Sequence, residues 1–189
     1  MAKRTFSGES SATNLTSTYF MQNFYRYNRN IMKASHREDY HKPELSYEDS
    51  RALKRAAAKL SSFSYSEDDN GDNLVSTIQA FAETYNNALD STSSKDYDTI
   101  RQHKQLKALS KKYGEDLEDI GITIEEDGKL KISENILKGS SFEEVKKLFS
   151  KDADYIKGIR NIAKRMNAQS HEEIYTMMTG SGGRLNITL

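Results

Sequence analysis

The chain has 189 residues, with 28 Lys and Arg against 28 Asp and Glu, so its formal net charge is zero; 35% of residues are hydrophobic, 30% are charged and none is cysteine. The charge balance excludes a uniformly basic nucleic-acid binder and a strongly acidic tail. The lack of any run of about 18 apolar residues excludes an α-helical membrane span, and the lack of cysteine excludes disulfides, thiol catalysis and thiolate metal sites.

The low apolar share predicts narrow stripes and elongated helical packing in a single domain. Pro43 is the one proline, which favours long helices, because proline removes a backbone donor and clashes with the preceding turn. The zero net charge conceals alternating blocks. Residues 1–60 carry +5, residues 61–100 carry −7, residues 101–114 carry +5, residues 115–134 carry −6 and residues 135–189 carry +3.

Residues 1–17 are rich in Ser, Thr and Gly and bury too little to offset ordering entropy, so a flexible tail is expected. They include Lys3 and Arg4 but no apolar stretch of a secretory signal, which makes the cytoplasm the default location. A helical domain with a hairpin is expected over 18–179. Phe20, Phe24, Tyr27 and Ile31 recur at spacings 4, 3 and 4, one face of a first helix. These four form a candidate partner-docking face, with ordinary packing on the rest of the bundle as the alternative. The segment HREDYHKPEL breaks the pattern, and Ser46–Asp49 reads as the cap of a second helix carrying Leu53, Ala56, Leu60 and Phe63.

After the polar turn Ser64–Asn73, Leu74, Ile78, Phe81, Tyr85 and Leu89 mark a third helix with a coiled-coil-like seam. A fourth is expected over about 95–119, with Leu106, Leu109, Tyr113 and Leu117 on one side and a basic first half. Ile122–Ile124 and Lys129–Ile132 alternate with period 2 around Asp127-Gly128, predicting a β-hairpin over 121–132. Ser141 and Glu144 form a capping box for a helix ending near Phe149. A helix over about 152–168 carries Ile156, Ile159, Ala163 and Met166, and Ser170–Glu173 reads as the cap of a further short helix with Ile174, Met177 and Met178. Residues 180–189 read as a glycine-rich tail. The fold class is therefore mainly α, an elongated, coiled-coil-like bundle with one small hairpin.

Candidate chemistry is sparse. His36 and His41 are five apart beside Pro43, whereas a helical zinc pair needs a spacing of four. Aligning Gly71 to the invariant glycine of a calcium loop puts Ser66 and Thr77 where carboxylates are required. Aligning Gly128 instead puts Glu125, Asp127 and Glu134 at useful positions but Thr123 at the first, and the segment alternates like a hairpin, so calcium is not expected there. Gly180-Ser181-Gly182-Gly183 is followed by too few residues for a phosphate-binding helix. The basic run Arg101, Lys104, Lys107, Lys111 and Lys112 is expected to pair with the acidic helix before it rather than with nucleic acid. No nucleophile elbow, HExxH, phosphate loop or dinucleotide fingerprint is present. The chain is thus read as a non-enzyme, with no catalytic, cofactor or metal residues, no nucleic-acid partner and no membrane.

Four short motifs follow in order: Phe81, Tyr85, Asn86 and Leu89; Leu117, Ile120, Gly121 and Ile122; Asp127, Gly128, Leu130 and Ile132; Val145, Leu148 and Phe149. Together they resemble the core of the bacterial flagellar filament cap family (hook-associated protein 2). YIKGIRNIAKRMNA is similar to that family's next helix, so the resemblance spans Asp72–Met166. The chain has no room for the family's large outer head domains, which makes it resemble a reduced relative. The resemblance implies an elongated helical body, self-association through terminal helices, flagellar or export components as partners, and export without a cleaved signal. A cytosolic helical adaptor unrelated to motility is the alternative.

Overall fold

The structure, a computed structural model, describes residues 37–65, 71–92 and 97–179. Phe20, Phe24, Tyr27, Ile31 and the helix expected to carry them lie outside the described residues, as do both expected tails. By internal contacts, residues 1–40 and 41–189 are separate units. In the first, Arg37–Asp39 form one 3-10 turn, with the Tyr40 amide donating to the Arg37 carbonyl at 3.4 Å.

The second unit is mainly α-helical with one small hairpin. Helix α1 spans Lys42–Ser61. It begins four residues before the expected Ser46 cap, and Pro43 sits in its first turn rather than breaking it. Proline fits there because the first turn has no acceptor for its missing N–H. The His41 amide donates to the Glu44 carboxylate at 3.3 Å, and Ser46 and Asp49 are buried inside the helix.

Helix α2 spans Gly71–Ser91 and buries Leu74, Val75, Ile78, Phe81, Ala82, Tyr85, Ala88 and Leu89. The expected fourth helix is two: α3, Tyr97–Lys112, and α4, Gly114–Asp119. Tyr113 breaks the run at φ −105° and ψ 21°. Its ring packs on Tyr155 at 5.4 Å between centroids, and α4 swings away to place Leu117 and Ile120 in the core.

Strands β1, Ile122–Ile124, and β2, Leu130–Ile132, pair antiparallel with Ile122 opposite Ile132 and Ile124 opposite Leu130, within the expected hairpin. The turn closes with the Gly128 amide on the Glu125 carbonyl at 2.8 Å. Gly121 and Gly128 have φ of +81° and +91°, conformations that side chains disfavour. A Cβ on Gly121 would also lie 2.8 Å from the Ile136 Cβ and 3.0 Å from the Ser133 carbonyl.

Helix α5, Glu134–Gly139, was not expected. Helix α6, Phe142–Phe149, begins at the predicted box: the Glu144 amide donates to the Ser141 Oγ at 3.3 Å and the Ser141 amide to the Glu144 carboxylate at 3.0 Å. Helix α7 is one continuous element, Asp154–Thr179, where two were expected. Ser170 does not cap a new helix. It is 1% exposed and donates to the Ser46 Oγ of α1 at 2.8 Å. Helix α1 packs against α7 and α2, α3 packs on α7, the hairpin lies on α2, and α6 closes against α4 and α7. One apolar cluster runs from Leu53 through Phe81 and Phe149 to Met166.

Candidate functional site

The four sequence motifs converge. Phe81, Tyr85, Leu89, Leu117, Ile120, Ile122, Leu130, Val145, Leu148 and Phe149 are buried in one cluster, and Ile132 packs half-buried against it. Asn86 is the polar joint. Its Oδ1 accepts from the Leu130 amide at 2.8 Å, and its Nδ2 donates to the Leu130 carbonyl at 2.9 Å. The opposite edge of β2 is occupied by β1, so this carboxamide fastens the hairpin to α2. Asp127 holds the turn, accepting from the Lys129 amide at 2.9 Å. These residues therefore act as fold determinants; none of them is assembled around a reactive atom.

Beneath the hairpin the rings interlock. Phe81 meets Phe149 edge-on at 5.4 Å, and Tyr155 meets Phe149 at 5.9 Å in the same T-shaped manner. This geometry sets the positive edge of one ring against the negative face of the next. The Ser110 hydroxyl donates to the Tyr85 hydroxyl at 3.0 Å and lies 3.2 Å from that of Tyr155. Burial pushes the Tyr85 phenol up to about 12, with the Ser110 bond opposing the shift. Burial raises Tyr155 further still. Both phenols stay neutral, which suits a packing role and gives neither the character of a base at neutral pH.

The charge blocks pair differently from expectation. Between the described residues of the acidic helix α2 and the basic α3 the contacts are hydrogen bonds, from Ser110 to the Tyr85 hydroxyl and between the His103 Nδ1 and the Leu89 carbonyl. Asp90 pairs instead with Lys129 of the hairpin at 3.0 Å, and Asp72 with Lys138 of α5 at 3.8 Å. Asp116 of α4 pairs with Lys147 of α6 at 2.8 Å. The later lysines stand beside these carboxylates because the hairpin and α5 pack on α2, and α6 packs on α4. Arg101, Lys104, Lys107, Lys111 and Lys112 make no ion pair among the described residues, and Lys112 lies over the Tyr113 ring at 5.1 Å.

The basic side of α3 borders an open groove of about 760 Å³. His103, Lys104, Lys107 and Lys111 form one wall, the hairpin turn with Glu125 and Glu126 the other, and Ala108 and Ile124 part of the floor. A Cβ on Gly128 would meet the Lys107 Cε at 2.5 Å, so the lysine stem crosses the turn. Both the basic run and the acidic block at 115–134 were visible in the sequence, whereas their placement across one groove was not.

Elsewhere, Ile136, Met177 and Met178 are exposed at 52%, 57% and 42%. Among the described residues no cluster of three or more His, Asp or Glu has the placement to hold a metal, and no helix is long and apolar enough to cross a membrane. No family model, curated protein or solved structure matches the chain.

Proposed function

We propose that the chain is a structural assembly protein resembling the core of the flagellar filament cap, working by helix-mediated docking on itself or on partner proteins rather than by catalysis. One observation carries this reading: the motifs that motivate the resemblance fold into one clamped unit, in which Asn86 ties the hairpin to α2 over a shared aromatic core. The exposed apolar side chains at the end of α7 and on α5 add docking area, and charged rims give register and specificity. The partners are other copies of the chain or flagellar and export components.

Size-exclusion chromatography with light scattering, across protein concentration and salt, tests the assembly. The expected result is a mass that rises with concentration and falls with salt, because exposed charges are screened. Deletion of the gene in the source organism is expected to impair motility. A salt-independent monomer, together with normal motility and filaments, would refute the proposal and leave the adaptor reading.

A further inference from the structure

We propose that the groove between α3 and the hairpin turn is a self-complementary contact surface, occupied by the same groove of a second copy of this chain. The inference rests on the assembly reading and names its interface. Lys104, Lys107 and Lys111, spaced three and four apart, line one stripe of α3. Glu125 and Glu126 stand exposed on the facing turn. No pair bridges the two walls within 4.0 Å, although both border one cavity. The Lys107 stem lies on Gly128, and around it the lysines and glutamates border an open groove of about 760 Å³ without pairing with each other.

A second copy closes it. A two-fold rotation sets the basic wall of each copy against the acidic wall of the other, so one contact is made twice. Ala108, Ile124 and the Lys107 stem supply an apolar floor under a charged rim, the usual layering of an interface. A polyanion such as nucleic acid would satisfy the lysines but meet two carboxylates at the mouth. A second copy satisfies both walls.

Charge exchange in the full chain tests this. K104E/K107E/K111E and E125K/E126K should each weaken self-association about tenfold or more, since like charges then face each other twice. Mixed one to one, the two variants should associate with each other, because both contacts are again complementary. Circular dichroism verifies that each variant is folded. If the wild type associates and the variants do so equally, or the mixture fails to recover, the groove proposal is overturned while the assembly reading stands. A wild-type chain that is monomeric throughout overturns the groove proposal, and motility of the deletion strain then decides the broader reading. A monomer that binds single-stranded DNA through these lysines would overturn it in favour of nucleic acid.

Discussion

Asn86→Ala removes both bonds between α2 and the outward-facing backbone of Leu130. The two bonds are short, at 2.8 and 2.9 Å, and Leu130 is 4% exposed, so its amide and carbonyl lose their partners in a largely dry place. A fully buried orphan group costs about 1–3 kcal/mol. Asn86 itself is half-buried, so water reaches part of the space and the lower end applies, about 1 kcal/mol for each group. Alanine is the better helix former and returns about 0.5 kcal/mol. The expected net loss is about 1.5 kcal/mol, read as a lower urea midpoint at unchanged slope. Hydrogen exchange at the Leu130 amide should accelerate with it. Asn86→Asp keeps the acceptor but sets a carboxylate against the Leu130 carbonyl, which raises the pKa of the introduced acid in the fold. Its stability should therefore be highest below the unfolded carboxyl pKa and be lost as pH rises through the raised folded value. An Asn86→Ala protein within about 0.5 kcal/mol of wild type, with unchanged exchange at Leu130, would refute the clamp.

Ser46→Ala and Ser170→Ala should each cost about 1 kcal/mol, whereas the double variant should cost less than their sum, because no hydroxyl is then left alone; strict additivity in urea unfolding would contradict the bond. Gly121→Ala should destabilise by about 2 kcal/mol or more, since a positive φ is combined with contacts to Ile136 and the Ser133 carbonyl. Gly139→Ala, which meets nothing within 4 Å, should be neutral or slightly stabilising; equal thermal shifts for these two would count against the described turn. Tyr85 and Tyr155 have folded pKa values above the ordinary 10.0, so their contribution to stability is intact below pH 10 and lost as pH climbs through about 12. Ultraviolet titration should show both ionising only as helical dichroism collapses; ordinary ionisation with the helices intact would exclude the buried cluster.

What the sequence made legible was local and periodic. The α2 stripe of Leu74, Ile78, Phe81, Tyr85 and Leu89 is dense enough to fix both element and core face, and the hairpin alternates cleanly around Asp127-Gly128. Ser141 with Glu144 is a real capping box. Ser46 and Ser170 have the same spelling, yet both lie mid-helix, because whether a serine caps depends on what it faces across space. The break at Tyr113 was hidden because Tyr113 keeps the apolar spacing; in the fold its ring packs on Tyr155, 42 positions away. Helix α5 is six residues long, too short to show a period. The role of Asn86 depends on a partner 44 residues distant, and the groove on bringing Glu125 and Glu126 opposite Lys107. Long-range pairing of this kind leaves no periodic trace.

Purely apolar seams between helices are forgiving, since one leucine fits beside another a turn away nearly as well as in its own place. The bond between Ser46 and Ser170 removes that tolerance from the seam of α1 and α7. Sliding α7 by one turn, about 5.4 Å, would part the two hydroxyls. The Asn167 amide, which donates to the Tyr47 carbonyl at 3.1 Å, would be displaced at the same time. The pair acts as a buried asparagine does in a coiled coil, giving up some stability to admit one alignment. A chain with alanine at both positions would hold together almost as firmly while sampling neighbouring registers, and the surfaces that α7 presents would lose their fixed spacing.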